Sequence, residues 1–362
     1  MIHVVKRKEM PLAQSVAIRL GVIGVALVVC GIITAIATGL NPIGVYATMI
    51  QGSFGSPRKV WIMLQEVALL LCVSLALTPA FRMKFWNLGG EGQILAGGLA
   101  SAACMILLGD KVPNAALIAI MFVASVAAGA LWAAVPAFFK AKFNTNETLF
   151  TLMMNYVATQ LVAFYVIVWE NPKGSGTIGV INQQSSAGWL PTIAGNKHLL
   201  IVLLVALLTV GMYVYLNYSK QGYEISVVGE SPSTARYVGI KVSKVIVRTL
   251  IISGALCGFA GMLLVGGSAH TLTTSIAAGR GFTAVMVAWL AKFNPLIMIG
   301  SSGLIEFMSH GASEIATTYG LNQSFGDILT GIILFFIIGT EFFITYRVVL
   351  SHNKGKSVEE LG

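Results

Sequence analysis

VWIMLQEVALLLCVSLALTP, residues Val60–Pro79, is an apolar run that carries a single charged side chain, Glu66. A run of about 20 apolar residues is long enough to cross the hydrocarbon core of a bilayer as a helix. Comparable runs recur along the chain. The sequence therefore predicts an all-α fold, a polytopic bundle of membrane-spanning helices.

The overall composition agrees with this prediction. Hydrophobic residues make up 56% of the 362 residues and charged residues only 10%, and the mean hydropathy is +0.82. Because an ordinary soluble domain has about 25% charged residues, this chain cannot build the usual water-facing surface. We expect one transmembrane domain over residues 1–362, with no separate soluble module.

The apolar runs predict about ten spans, or eight if the short third and eighth runs are re-entrant. Their approximate limits are 16–38, 60–79, 93–108, 115–136, 149–169, 199–216, 245–265, 282–291, 295–310 and 328–346. The first run is of span length and lacks a convincing cleavage site, so we expect a retained helix and not a signal peptide.

The loop charges predict an orientation. With the N-terminus inside, 17 of the 23 Lys and Arg residues fall on the inner side, which is the bias of cytoplasmic loops. The outer six are Arg58, Lys59, Lys111, Lys173, Lys197 and Arg280. Both termini are therefore predicted to be cytoplasmic, namely segment 1–15 and tail 347–362. Segment 170–197 becomes an external loop, and segment 217–244 becomes an internal one.

The internal loop contains GESPSTARYVGI, residues Gly229–Ile240. Ser231 is a good N-cap, Pro232 suits the first helical position, and Gly239 can end a helix in the left-handed conformation. These signals predict a short helix from Pro232 to Val238 that exposes Arg236 and Tyr237. A plain solvated connector would need the same caps, so the pattern alone also fits that alternative.

Two glycine-rich elements each precede a short apolar run. They are NLGGEGQ, residues Asn87–Gln93, and GRGFTAVMVAWL, residues Gly279–Leu290, which is followed by Asn294-Pro295. Short, Gly- or Pro-interrupted segments in two halves of a chain suggest an internal repeat. The glycines Gly254, Gly258 and Gly261 predict a face for close helix packing in the seventh span.

Several kinds of site find no support. The four cysteines lie inside apolar runs without a CxxC pair, the five histidines have no metal spacing, and no GxxxxGK[ST] loop is present. Neither a catalytic cluster nor a basic face for nucleic acid is evident. We therefore expect neither an enzyme nor a nucleic-acid-binding protein, and no metal or cofactor bound by this chain.

The motifs together resemble the branched-chain amino acid, simple sugar and nucleoside permeases of ATP-binding-cassette (ABC) importers. NLGGEGQ is similar to that family's N-[IL]-G-x-E-G-Q signature. Gly229–Ile240 resembles its cytoplasmic coupling segment, with Glu230 in place of the common Asn. Gly279–Leu290 resembles its G-x-G-F stretch, with Trp289-Leu290-Ala291 in place of Leu-Leu-Gly.

The resemblance implies a permease subunit in a bacterial plasma membrane. It implies a dimer with a second, paralogous permease subunit, two cytoplasmic ATPase subunits that use ATP, and an extracellular lipoprotein that delivers the solute. The coupling residues that it implies are Glu230, Ser231, Pro232, Ala235, Arg236, Tyr237, Gly239 and Ile240.

The solute is predicted from one further element. NETLFTLMMNY, residues Asn146–Tyr156, resembles an element of the nucleoside permeases in that family. A nucleoside is neutral and flat, so amide and aromatic side chains suit its path. The candidate path residues are Asn87, Glu91, Gln93, Asn155 and Tyr156. Simple sugars remain an alternative solute, and a self-sufficient secondary transporter or channel remains an alternative class.

Overall fold

The computed structural model describes residues 2–6 and 12–350, and all structural statements concern those residues. They form thirteen α-helices, one π-helical segment and two short strands. The helices are α1 Leu12–Thr38, α2 Pro42–Phe54, α3 Pro57–Arg82, α4 Gly90–Leu108, α5 Asn114–Phe143, α6 Glu147–Val168, α7 Leu199–Tyr218, α8 Lys220–Glu230, α9 Pro232–Tyr237, α10 Val242–Met262, α11 Arg280–Leu290, α12 Pro295–Tyr319 and α13 Gln323–Thr345. The π-helical segment is Leu263–Ala269, and the strands are β1 Ile2–Lys6 and β2 Tyr346–Leu350.

Every predicted apolar run coincides with a helix, and the prediction of a multi-pass helical membrane protein is confirmed. Among the described residues, six helices are long and apolar enough to span a membrane, namely α3 to α7 and α10 with its π-helical extension. A seventh span results if α2 and the part of α1 from Gly24 onward, which are bent by 109°, count as one. The predicted count of ten is therefore not reached by this criterion.

The eighth predicted span shows why. Helix α11 has 11 residues, and a helix of that length extends only about 16 Å. The hydrocarbon core of a bilayer is about 30 Å thick, so α11 alone cannot cross it.

Two features were not predicted. Helix α2 begins at an Asn-Pro pair, and the Asn41 side chain accepts the Ile43 N–H at 3.0 Å. This is an N-cap followed by proline at the first helical position, a start signal present in the sequence. Strands β1 and β2 form an antiparallel ribbon with Val4 opposite Val348, a small departure from the all-α prediction.

The chain divides into two compact units, one of Met1–Val60 with Phe307–Gly362 and one of Trp61–Glu306. In the first unit α1 packs on α13, and Lys59 Nζ lies 2.8 Å from Glu314 Oε1. The second unit contains both glycine-rich elements and the whole internal loop. No shift of composition marks this division, because apolar helices build both units.

Helices α4, α5 and α10 form the tightly packed centre of the second unit. A Cβ added at Gly258 would lie 2.1 Å from the Ser125 backbone oxygen, and one added at Gly261 would lie 2.3 Å from that of Ile94. Because the helix backbones nearly touch, only glycine fits at these positions. The predicted packing face of the seventh span is thus confirmed.

The connection between α6 and α7 folds back onto the second unit. The Ile181 N–H donates to the His270 backbone oxygen at 2.8 Å, and the Trp189 ring stacks on the His270 ring at 3.9 Å. Ile178, Ile181 and Ala187 are buried. The segment predicted as a loop over 170–197 is therefore partly buried.

Candidate functional site

The loop between α3 and α4 is held by a closed network of amide groups. The Asn87 side-chain oxygen accepts the Gly89 N–H at 3.0 Å and the Gln93 amide at 3.2 Å, and the Asn87 amide donates to Ser253 Oγ at 3.2 Å. Asn87 and Gln93 are 0% and 1% exposed. Because buried amides must be paired, this network fixes the course of the loop where α4 begins.

Asn155 on α6 clamps the same loop from the other side. Its side-chain oxygen accepts the Gly92 N–H at 2.8 Å, and its amide donates to the Leu88 backbone oxygen at 2.8 Å. The Leu88 N–H donates to Thr151 Oγ1, one helical turn earlier, at 3.2 Å. The Asn146–Tyr156 element at the start of α6 and the NLGGEGQ element are therefore in direct contact.

Glu91 joins the two glycine-rich elements to each other. Its carboxylate accepts the Gly279 N–H at 3.0 Å and the Gly281 N–H at 2.9 Å. A Cβ added at Gly281 would lie 2.4 Å from the Glu91 nitrogen, so the two backbones approach each other closely. The carboxylate accepts hydrogen bonds from N–H groups that lack partners within the helix. Its negative charge is also stabilised by the positive N-terminal ends of α4 and α11.

An ion pair adjoins this junction. The Arg280 guanidinium bonds to the Glu66 carboxylate on α3, and each side chain is 17% exposed. At the other end of α11, the Trp289 ring lies 5.5 Å from the Trp86 ring, and the Phe293 ring stacks on the Phe81 ring. Helix α11 is thus fastened to α3 near both of its ends.

This ion pair was not predicted, although the positions of its two charged residues in the sequence indicate it. A charge in an apolar run requires a partner of opposite sign. Glu66 interrupts the second predicted span, and Arg280 precedes the eighth. The two could have been matched on that ground.

The predicted coupling helix is α9, which ends at Tyr237, one residue before the predicted end. Ser231 Oγ accepts the Thr234 N–H at 3.2 Å, and Gly239 has a φ of +83°. Both caps are therefore confirmed. Ile240 N–H closes the turn on the Ala235 oxygen at 2.9 Å.

The two faces of α9 differ sharply in exposure. Ala235 is fully buried in a cluster with Ala80, Phe85 and Val245, whereas Tyr237 is 93% exposed. Glu230 and Arg236 are exposed as well. Helix α8, which was not predicted, precedes α9, and a Cβ added at Gly229 would lie 2.3 Å from the Arg82 oxygen. Helix α8 therefore packs directly against the end of α3, and Ala235 anchors α9 in the adjoining cluster.

The five candidate path residues fall into three environments. Asn87, Gln93 and Asn155 belong to the buried network, and Glu91 caps the start of α11. Tyr156, the neighbour of Asn155, is 64% exposed. A contact of any of them with solute stays a prediction. No group of three His, Cys, Asp or Glu that could hold a metal occurs among the described residues.

The comparisons with known proteins agree on the kind of protein. Residues 60–338 match the family described as "Branched-chain amino acid transport system / permease component". The chain is 27% identical to the glucose ABC transporter permease protein TsgB13 of Haloferax volcanii, over 91% of this chain and 89% of that protein.

Two bacterial relatives are similar to the same degree. The guanosine ABC transporter permease protein NupP of Bacillus subtilis is 28% identical, over 92% of this chain and 94% of its own length. The nucleoside ABC transporter permease protein NupB of Lactococcus lactis is 26% identical, over 85% and 86%. The chain therefore belongs to the family of branched-chain amino acid transport system permease components, which are membrane transport subunits and not enzymes.

Proposed function

We propose that this chain is the transmembrane subunit of an ABC importer and forms half of the translocation pathway for a small polar solute, most specifically a nucleoside. The observation that carries the proposal is helix α9, capped at both ends, anchored by Ala235 and exposing Arg236 and Tyr237. A short, rigid helix with one buried residue, Ala235, and exposed side chains at its end is suited to bind a cytoplasmic ATPase.

The packing beneath α9 supports a role as a lever. Its anchor lies among side chains from the ends of α3, α5 and α10, with Ala80, Ala137 and Val245 in one cluster. Interiors are close-packed and transmit displacement. A displacement of the exposed end of α9 would thus be transmitted to α10. Ser253 of α10 bonds to Asn87, so the displacement would also reach the Asn87–Gln93 loop.

The family implies ATPase and solute-binding partners, and the finer assignments are proposals. We propose a paralogous second permease subunit, an extracellular substrate-binding lipoprotein and a bacterial plasma membrane. The loop charges support cytoplasmic termini. The likeness of the two elements that contain Glu91 and Gly279–Gly281, each a glycine-rich entry to a helix, supports an internal repeat.

Nucleosides are favoured as solute by two observations. The Asn146–Tyr156 element contacts the NLGGEGQ loop directly through Asn155, and two relatives carry nucleoside or guanosine in their names. A simple sugar is the second candidate, because an equally similar relative is described as a glucose permease.

The path residues need separate tests. Asn155→Leu would leave the Gly92 N–H and Leu88 oxygen without their partner, so lost transport in that variant would also follow from loss of structure. Tyr156 is a cleaner probe because its ring is exposed. If Tyr156 contacts solute, Tyr156→Ala raises the KM for uptake at unchanged thermal stability, and an unchanged KM would remove it from the path.

The direct experiment is uptake by the complex reconstituted in liposomes, with ATP inside or outside and with nucleosides, sugars and amino acids as solutes. We expect uptake that needs ATP, the solute-binding protein and both permease subunits, with nucleosides preferred. Sugar preference would replace the solute assignment alone. Uptake by this chain alone, driven by an ion gradient, would instead support a secondary transporter and refute the importer.

A further inference from the structure

A cavity of about 550 Å³ opens beside α9, between helix α8, the turn after α9 and the start of α10. Its lining includes the basic side chains Lys220, Lys241, Lys244 and Arg248, together with Glu224 and Tyr223. No contact described for the coupling helix or the amide network uses these side chains.

The charged side chains that line this cavity are mostly basic. Among its described lining residues there are four cations and one carboxylate, and that carboxylate is taken up by an ion pair, Arg248 Nη2 to Glu224 Oε2 at 3.0 Å. The three lysines are exposed at the rim. Like charges brought close together repel one another, so an anion placed between them is favoured.

The start of α10 adds a second source of positive potential. This helix of 21 residues begins at Val242, with Lys241 at its N-cap position and no described side chain bonded to its first turn. The first backbone N–H groups of a helix lack partners within the helix and favour anions. Lys241 and Lys244 line the cavity at the same turn.

Arg248 supplies a third, independent observation. Its Nε is buried and has no hydrogen-bond partner among the described residues, although one of its terminal nitrogens is paired with Glu224. A buried donor without a partner is costly and is normally satisfied by a ligand or water. The guanidinium is thus only partly used within the chain.

We propose that this cavity is an anion site that binds a phosphate group, supplied either by the headgroup of an anionic phospholipid or by a phosphate in solution. The volume exceeds what one phosphate needs, so a headgroup with its glycerol portion also fits. Basic pockets between helices at the cytoplasmic face of a membrane are typical binding places for anionic headgroups. The site adjoins Gly239 and Ile240, so an occupant would stiffen the base of the coupling helix.

The test uses the full-length chain purified in a neutral detergent, as wild type and as Lys241→Gln/Lys244→Gln. Native mass spectrometry follows the binding of added phosphatidylglycerol or cardiolipin, with phosphatidylcholine as the neutral lipid. Binding of soluble phosphate is tested by comparing the unfolding temperature in inorganic phosphate with that in chloride at equal ionic strength; this is the phosphate arm. The matched control is Lys84→Gln/Lys142→Gln, which removes the same charge from exposed lysines on the predicted cytoplasmic side, outside this cavity.

We expect one bound anion per chain and a loss of affinity of about tenfold or more in the cavity variant, with less than about twofold in the control. Binding in the lipid arm alone identifies a headgroup, and stabilisation in the phosphate arm alone identifies a soluble anion. The proposal is overturned if neither arm shows binding, or if both variants weaken it equally.

Discussion

The Glu91 carboxylate accepts the Gly281 N–H at 2.9 Å and thereby ties the first turn of α4 to the first turn of α11. The second oxygen of the same carboxylate accepts the Gly279 N–H at 3.0 Å. Glu91 and Gly281, which are 190 residues apart in sequence, therefore bring two elements together at one side chain. The Glu66–Arg280 ion pair adjoins this point, so the start of α11 is held from two sides.

Glu91→Ala should destabilise the protein by about 1 to 3 kcal/mol, because two backbone N–H groups lose a charged acceptor. Glu91→Gln should cost less, since one amide oxygen can still accept a hydrogen bond. Transport should fall in the same order, because α11 loses its attachment to α4. Thermal unfolding in detergent and ATP-dependent uptake measure the two effects.

Asp110→Asn is the matched control for this change, because Asp110 is an exposed acid at the far end of α4. It should leave both readouts unchanged. An unfolding temperature of Glu91→Ala equal to that of the wild type would show that the junction does not depend on this carboxylate.

Gly258→Ala should destabilise the centre of the second unit, since the new Cβ would lie 2.1 Å from the Ser125 oxygen and 3.1 Å from the Gly129 Cα. Overpacking of a dense core typically costs about 1 to 3 kcal/mol. Gly211→Ala, on α7 with nothing within 4 Å of the added atom, is the control and should be neutral or slightly stabilising. Equal unfolding temperatures for the two variants would contradict the close approach of α5 and α10.

The helices themselves were predictable because apolar length and periodicity are local properties. So were the caps of α9, since Ser231, Pro232 and Gly239 act within one turn of chain. The role of the amide network was not predictable, because Asn87, Gln93 and Asn155 have the chemistry of a solute path. Only the structure shows that Asn87 and Gln93 bond to each other and that Asn155 bonds to the backbone of the same loop. Pairing of that kind depends on which helices meet, which no local pattern contains.

Helix length was the other limit of prediction. An apolar run indicates a helix but not whether it crosses the whole membrane, and α11 shows the difference with its 11 residues. The start of α2 was predictable from the sequence, because Asn41 is a good N-cap and Pro42 suits the first helical position.

Arg236→Glu and Gly239→Val should each reduce ATP-dependent uptake to background while the protein stays inserted. The first reverses the charge of the exposed tip of α9. The second places a β-branched residue at a φ of +83°, where side chains other than glycine are strained, so the end of the lever must shift. Uptake in reconstituted liposomes is the readout, with membrane content of the subunit measured alongside.

Lys111→Glu is the control for the charge reversal, because Lys111 is exposed in the turn after α4, away from α9. It should transport normally. Normal uptake in both α9 variants would refute the lever, and loss of the subunit from the membrane would show a folding defect in its place.

His270 should make the stability of the second unit depend on pH. Burial, with a smaller contribution from nearby Lys197, lowers the pKa of His270 below its ordinary 6.5. The ring stacks on Trp189, and its Nδ1 is buried without a hydrogen-bond partner among the described residues, so the neutral form suits the site. A lowered folded-state pKa means that the folded protein binds fewer protons than the unfolded chain near this pH.

The contribution of neutral His270 to the free energy of unfolding is fully present above the unfolded pKa of 6.5. It is lost as the pH falls from 6.5 through the lowered pKa of the folded state. Unfolding temperature measured from about pH 7.5 down to about pH 5 should therefore drop in the wild type more steeply than in His270→Asn. Asparagine tolerates the left-handed backbone that His270 adopts at a φ of +52°. The difference between the two curves isolates His270 from the carboxylates that titrate in the same range, and parallel curves would show that its protonation is not linked to folding.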